Sequence, residues 1–217
     1  MPTNRINLLI IEDCPFTCQG YKHLLENSLS TPLHITFANN CDTAVQHIKS
    51  KTYELIVLDL QLPISKNEHY LCGEDLGLLI RNTQKDTKII VSTNISEGFR
   101  INSIIDELNP EGFIIKAKSD PKDLKKVIEL VLEGHKYFCK SVEEYTQHTS
   151  KNITIDDFDR QILYHLSMGV KTKDLCKHIT LSHRTIEVRK AKLKSLLNIN
   201  NAKHFSLVKE AKKLGFI

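Results

Sequence analysis

The first 135 or so residues alternate between two patterns of apolar positions. Short continuous apolar runs predict strands that are buried on both faces of a parallel sheet. These runs lie near 6–12, 33–38, 54–59, 88–93 and 112–116. Segments with helical apolar spacing follow each run, near 15–28, 42–51, 73–83, 96–108 and 120–134. Five strand–helix units in succession predict an α/β domain built on a doubly wound, five-stranded parallel sheet over residues 1–135.

The last part of the chain shows only helical patterns. Asp156 or Asp157 opens a first helix that ends at Gly169, and Thr172 is placed to cap a second. A third predicted helix covers about 183–197 after the N-cap Ser182, and a fourth covers about 201–214. Two helices joined by a tight turn, the second strongly basic, predict a small all-α helix-turn-helix domain over 153–217. The polar residues 136–152 between the domains are predicted to be a linker.

Charge separates the two halves of the chain. The net charge of +4 divides into −4 over residues 1–150, with 16 Lys/Arg and 20 Asp/Glu, and +8 over residues 151–217, with 14 and 6. A short basic domain is typical of nucleic-acid binders, although a solvated lysine-rich helix face has the same composition. No apolar stretch approaches the ~18 residues of a membrane span. Six scattered cysteines and an N-terminus unlike a signal peptide predict a cytoplasmic protein with reduced thiols and no membrane partner.

Three of the predicted strands end in charged groups. Glu12 and Asp13 follow the first strand, Asp59 follows the third, and Lys116 follows the fifth. The carboxyl ends of parallel strands meet at one edge of the sheet, so these groups are expected to converge there. Carboxylates at close range repel one another unless a cation lies between them, and oxygen-rich clusters suit Mg²⁺. The pattern predicts a divalent-metal site with one carboxylate free to react.

These residues, with the run from Val57 to Pro63, resemble the receiver domains of bacterial two-component response regulators. The resemblance implies a flavodoxin-like fold in which Asp59 accepts a phosphoryl group from a sensor histidine kinase. It further implies that Mg²⁺ is held by Glu12, Asp13, Asp59 and the backbone carbonyl of Gln61. Lys116 and Thr93 would then contact oxygens of the phosphoryl group.

Two of these assignments have competitors in the sequence. Ser92 is an alternative to Thr93 as the hydroxyl at the end of the fourth strand, and Lys118 is an alternative to Lys116. The segment 64–72 is several residues longer than the corresponding loop in typical receivers. A longer loop beside Asp59 can alter access to the site or dephosphorylation, and the sequence leaves its role open.

The C-terminal segment carries Ile162-Leu163, Gly169, Leu175, Leu181-Ser182, Thr185-Ile186 and a basic run over 189–194. With these residues, the segment 155–217 resembles the LuxR-type helix-turn-helix domain that follows many receivers. At 100° per residue, Ile186, Leu193 and Leu197 share the core face of the third helix, so the opposite face is directed toward the DNA major groove. The residues predicted to meet bases are Arg184, Glu187 and Val188. Those predicted to meet phosphates are Thr185, Arg189, Lys192 and Lys194. For Glu187, an ion pair along the helix with Lys190 is an equally good interpretation.

The predicted function is that of a transcription factor controlled by phosphorylation. Double-stranded DNA and a sensor histidine kinase are the expected partners, with a homodimer as the active form and no enzymatic turnover. A phosphohydrolase using Asp59 as nucleophile is one alternative, although Gln61 stands where such enzymes place a second acid. The other alternative is a DNA-binding regulator whose receiver works without phosphorylation.

Overall fold

A computed structural model describes residues 5–26, 32–96, 98–148, 155–197, 199, 204–213 and 216. The chain divides into two compact units, residues 1–150 and 151–217. Some predicted features lie outside the described residues. They are the end of the first helix at 27–28, the linker from 149, the start of the second domain at 153–154, and the ends of the fourth helix of that domain.

The first unit is built on a parallel sheet with the strand order β2-β1-β3-β4-β5-β6. The predicted doubly wound parallel architecture is confirmed, with the first five strands close to their expected positions. These are β1 (Ile6–Ile11), β2 (Leu33–Ala38), β3 (Leu55–Leu58), β4 (Lys88–Thr93) and β5 (Gly112–Ile115).

Helices cover both faces of the sheet, which explains the continuous apolar runs of the strands. The helices are α1 (Pro15–Glu26), α2 (Cys41–Ser50), α3 (Gly73–Thr83), α4 (Gly98–Leu108) and α5 (Pro121–Leu132). In β1, Leu8 and Ile10 belong to the apolar cluster that includes Leu124 of α5. The alternate residues Leu9 and Ile11 belong to the opposite cluster, which contains apolar residues of α2, α3 and α4. The strands β1, β3, β4 and β5 are therefore buried on both faces over most of their length, whereas β2 at the sheet edge is only partly buried.

A sixth strand and a further helix occupy residues predicted to be linker. β6 (Tyr137–Phe138) pairs in parallel with Gly112–Phe113 at the edge of β5, and α6 (Lys140–His148) packs against α4. Val142 of α6 is fully buried in the core. The prediction of five strands and a linker from 136 was therefore wrong for these residues. A two-residue strand has too few side chains to show a period, and α6 is apolar on only a narrow stripe.

The second unit contains the four predicted helical segments. They are α7 (Asp157–Ser167), a 3-10 helix (Thr172–Lys177), α8 (His183–Leu196) and α9 (His204–Lys213). The side chains of Asp156 and Ser182 cap α7 and α8. The second segment differs from prediction because it is a 3-10 helix without a side-chain cap. Thr172 instead accepts a hydrogen bond from Lys190 Nζ at 2.5 Å, which ties this segment to α8.

Candidate functional site

The predicted acidic cluster forms at the carboxyl edge of the sheet. Asp59 is placed beside the end of β1 by a hydrogen bond from its backbone N–H to the carbonyl of Ile11, 2.9 Å long. Glu12 and Asp59 are buried, at 2% and 4% exposure, whereas Asp13 is exposed. Carboxylate oxygens of these three residues lie within 4.8 Å of one another. Oxygen-rich carboxylate clusters of this kind are the donor sets that bind metal ions, and Asp13 is the exposed member of this one.

Lys116 reaches into this cluster from the residue after β5. Its Nζ lies 2.5 Å from Glu12 Oε2 and 2.7 Å from Asp59 Oδ2. Burial lowers the pKa of Lys116, but the nearby Asp59 and Glu12 carboxylates outweigh burial, so the pKa is raised overall. Burial raises the pKa of Glu12, partly offset by the Lys116 ammonium. The alternative, Lys118, is directed elsewhere and donates to the hydroxyl of Tyr145 at 3.1 Å.

The structure also separates the two candidate hydroxyls at the end of β4. The hydroxyl of Ser92 pairs with that of Tyr21 on α1 at 3.0 Å. Thr93 is fully buried, and its Oγ1 accepts a hydrogen bond from the Ile95 N–H at 3.3 Å. Gln61 is exposed beside the site, and its N–H donates to Asp59 Oδ1 at 3.1 Å. Ser92 is therefore occupied by α1, while Gln61 orients the Asp59 carboxylate.

Gly73, at the start of α3, was not identified from the sequence. Its N–H donates to the carbonyl of Leu60 at 3.0 Å, and a Cβ at this position would lie 2.0 Å from the backbone oxygen of Asp59. Only a residue without a side chain permits this close approach. A glycine at the junction of a long loop and a helix was the available signal, but its spatial neighbour could not be inferred from sequence.

In the second unit, five of the seven residues predicted to contact DNA are exposed on α8. They are Arg184, Thr185, Glu187, Val188 and Lys192, and the side chain of Val188 is 64% exposed. The opposite face of α8 contains Ile186 and Leu193, both fully buried as expected.

Three of the seven, Thr185, Arg189 and Lys194, make interactions within the unit or are only partly exposed. Arg189 Nη1 lies 2.7 Å from Asp156 Oδ2 and 2.9 Å from Asp159 Oδ1, both at the start of α7. Thr185 shares a hydrogen bond of 2.8 Å between its hydroxyl and that of Ser182, and Lys194 is half-buried. Folding brings these two acids near Arg189, where they hold its guanidinium, and its contact with a DNA phosphate stays a prediction.

Glu187 takes part in the ion pair that was its alternative interpretation. Its Oε2 lies 3.7 Å from Lys190 Nζ, one turn along α8. Lys190 itself is buried at 8% exposure, and burial lowers its pKa, partly offset by Glu187. The Glu187 side chain remains 49% exposed, so the pair leaves much of its carboxylate at the surface of α8.

Among the described residues, no helix combines the length and the apolar character that crossing a membrane requires.

The chain is similar in sequence or fold to known bacterial proteins. The chain is 21% identical over 201 residues to the fimbriae Z protein of Salmonella typhimurium, covering 90% of this chain and 91% of that protein. It is 20% identical to the response regulator UvrY of Escherichia coli K12, with 90% and 89% covered.

Among solved structures, RcsB from Salmonella enterica serovar Typhimurium, bound to promoter rprA with the phosphomimetic BeF3⁻, matches with a TM-score of 0.69. The match has 20% identity and covers 96% of this chain and 99% of that chain. Likeness at this identity shows a shared fold. The family model of the response regulator receiver domain matches residues 8–129, which is more than half of the chain and includes Glu12, Asp59 and Lys116. The chain therefore belongs to the response regulator receiver domain family.

Proposed function

We propose that this protein is a DNA-binding transcription regulator whose activity is controlled by phosphorylation of Asp59. The observation that carries the proposal is the convergence of Lys116 with Asp59 and Glu12 at the edge of the sheet, with Asp13 beside them. This arrangement brings the Asp59 carboxylate, as the nucleophile, together with the Lys116 ammonium and two further acids at one edge of the sheet.

The chemistry of the site follows from these contacts. The Asp59 carboxylate attacks the phosphorus of a phosphohistidine on the kinase, and the histidine nitrogen leaves as the acyl phosphate forms. The Lys116 ammonium neutralises charge on an oxygen of the transferred group. Thr93 donates its hydroxyl to another oxygen once the segment after β4 turns its side chain toward the site. The pairing of Ser92 with Tyr21 supports Thr93 in this role.

Glu12, Asp13, Asp59 and the Gln61 carbonyl are the groups that would hold Mg²⁺. When bound, the ion supplies positive charge that allows phosphoryl oxygens to approach the carboxylates. Glu12 would then share its oxygens between the ion and Lys116. Burial raises the pKa of Glu12, and a bound cation would oppose this rise and help to keep the carboxylate ionised.

The second unit is proposed to bind double-stranded DNA through the exposed face of α8. Arg184 would contact guanine and Val188 a thymine methyl group, while Thr185, Lys192 and Lys194 are assigned to the phosphate backbone. Arg189 is held by Asp156 and Asp159, so its proposed contribution is to position α8. The promoter complex of RcsB, which shares this fold, supports DNA as the partner.

We further propose that the phosphorylated protein acts as a homodimer with a sensor histidine kinase as phosphodonor. Two copies of α8 would reach half-sites about one DNA turn apart, roughly 34–36 Å. Phosphorylation shifts the balance between receiver conformers only as far as the phosphoryl group favours one of them.

Phosphoryl uptake from acetyl phosphate with Mg²⁺, followed by intact mass, tests the acceptor. We expect the wild type to gain one group of about 80 Da and Asp59→Asn to gain none, because the amide cannot form an acyl phosphate. Lys118→Met is the matched control for Lys116→Met, since both remove a lysine from the same turn. Lys116→Met should slow uptake by about tenfold or more, whereas Lys118→Met should not.

An unmodified wild type, under conditions that modify a control receiver, would favour the regulator that works without phosphorylation. Turnover of an aryl phosphate that disappears in Asp59→Asn would instead favour the phosphohydrolase.

DNA binding is tested with duplexes selected by the wild type from a random-sequence pool. We expect Lys192→Gln to weaken binding to all duplexes alike and to reduce the salt dependence by about one ion. Arg184→Ala should weaken binding by about 1–3 kcal/mol on the selected sequence and relax selectivity at one position. Lys125→Gln on α5 serves as the charge-matched control. Equal losses for all three variants would contradict a specific role of α8.

A further inference from the structure

A fully buried ion pair joins α3 to α4. Glu74 in the first turn of α3 is 0% exposed, and Arg100 in the first turn of α4 is 1% exposed. Arg100 Nη1 donates to Glu74 Oε2 at 2.9 Å, and Nη2 donates to Oε1, so the guanidinium grips both oxygens. Apolar side chains of similar volume are often at least as stabilising as a buried ion pair. The pair is therefore better explained by the arrangement that it fixes than by stability.

On the α3 side, the pair is anchored to the backbone of the proposed phosphoacceptor. Glu74 directly follows Gly73, whose N–H donates to the Leu60 carbonyl and whose Cα faces the Asp59 carbonyl without a side chain between them. Asp75 Oδ2 accepts hydrogen bonds from the N–H groups of Leu71 and Cys72, at 2.7 and 3.3 Å. These hydrogen bonds fix the start of α3 and the end of the 64–72 loop next to the backbone of Asp59 and Leu60.

On the α4 side, the pair fixes the segment that begins at Thr93. Thr93 ends β4 and accepts a hydrogen bond from the Ile95 N–H, and Arg100 follows only seven positions later. Residues 100–104 are all buried, because α4 lies between the rest of the first unit and α6. A shift of the first turn of α4 would separate two charges in a place where water does not replace their hydrogen bonds.

We infer that Glu74 and Arg100 are positioning residues that hold the start of α4, and with it the Thr93 segment, in the arrangement where Thr93 Oγ1 accepts from the Ile95 N–H. A bidentate contact between buried charges is either formed or broken. It therefore favours one of two distinct conformers and does not change a single conformer gradually. The pair therefore opposes the movement that brings the Thr93 hydroxyl toward the phosphoryl group and slows phosphoryl uptake. The inference rests on the proposed function, with Asp59 as the acceptor.

The test replaces the pair by apolar residues in the full chain, as Glu74→Leu/Arg100→Met. We expect an unchanged or higher melting temperature of the first unit, uptake from acetyl phosphate that is roughly threefold faster or more, and faster hydrogen exchange in α4. The control is Lys125→Ala/Glu129→Ala, which removes an exposed ion pair of 3.8 Å on α5. It should change neither the uptake rate nor the exchange in α4.

Wild-type rates of uptake and of exchange in α4 in the folded double variant would overturn the inference, because the pair would then only fill space. No uptake by the wild type would instead refute the proposed function, and with it the inferred role in uptake. If the double variant does not fold, Arg100→Lys decides by the same two readouts, because it keeps the charge but loses the two-pronged donor. Its uptake and exchange in α4 should also be faster, and wild-type values would again overturn the inference.

Discussion

Gly73→Ala is expected to destabilise the first unit by about 3 kcal/mol, the upper range for overpacking a rigid site. The added Cβ would lie 2.0 Å from the Asp59 carbonyl oxygen, 2.7 Å from Leu60 Cα and 2.9 Å from the Asp59 carbonyl carbon. All three are backbone atoms, so no side-chain rotation relieves the overlap. Because the backbone of Asp59 must move, phosphoryl uptake should fall together with stability.

Gly20→Ala is the matched control, because a Cβ at Gly20 has no neighbour within 4 Å. Gly20 lies inside α1, where alanine is the better helix former, so this variant should gain about 0.5–1 kcal/mol. Urea unfolding of the first unit measures both changes, and intact mass measures uptake. Equal urea midpoints for the two variants would show that the contact with Asp59 is loose.

Arg189→Met is expected to destabilise the second unit by about 2–3 kcal/mol at neutral pH, because it leaves a buried carboxylate without its main cation. Asp159 is fully buried, and Arg189 Nη1 lies 2.9 Å from its Oδ1. Burial raises the pKa of Asp159, and Arg189 partly opposes this. Losing the arginine should therefore raise that pKa further.

The pH dependence of the loss has a definite sign. An acid whose pKa is higher in the folded state destabilises that state when ionised, and protonation removes the penalty as pH falls through the folded pKa. Burial alone would raise the pKa of Asp156, but hydrogen bonds from Arg189 and the Asp159 N–H, together with nearby positive charges, lower it overall. The stability that Asp156 contributes in the wild type is therefore lost as pH falls through its folded pKa. The difference between wild type and Arg189→Met should therefore shrink as pH falls below neutral.

Native-state hydrogen exchange of α8 at several pH values measures this difference. Lys192→Met is the control, because Lys192 Nζ also approaches Asp159, at 4.0 Å, but its side chain is 53% exposed. An exposed charge of this kind should contribute less than about 1 kcal/mol. A constant difference across pH, or equal effects of the two variants, would mean that Arg189 does not compensate the buried acid.

The strand ends were predictable because their logic is local. A strand buried on both faces must be apolar throughout, so a charged residue that interrupts such a run marks the edge of the sheet. Parallel pairing brings these edges together, which is why Glu12, Asp59 and Lys116 were grouped correctly from their order along the chain. The faces of α8 followed in the same way from helical periodicity, with Ile186 and Leu193 inward.

Other features depended on partners far away in sequence. β6 exists because its backbone pairs with Gly112–Phe113, and α6 because α4 offers it an apolar surface. Arg189 has the same side chain whether it meets a phosphate or the acids of α7, so its sequence position did not reveal its partner.

The sequence by itself determined the parallel sheet, the acidic edge and the basic helical unit, because each follows from residue types and their spacing along the chain. Only the tertiary structure decided that Gly73 lies against the Asp59 backbone, that Glu74 pairs with Arg100 and that α6 packs on α4. These contacts join elements whose local patterns are independent of one another. They are set by how the layers fit together, which no local period encodes.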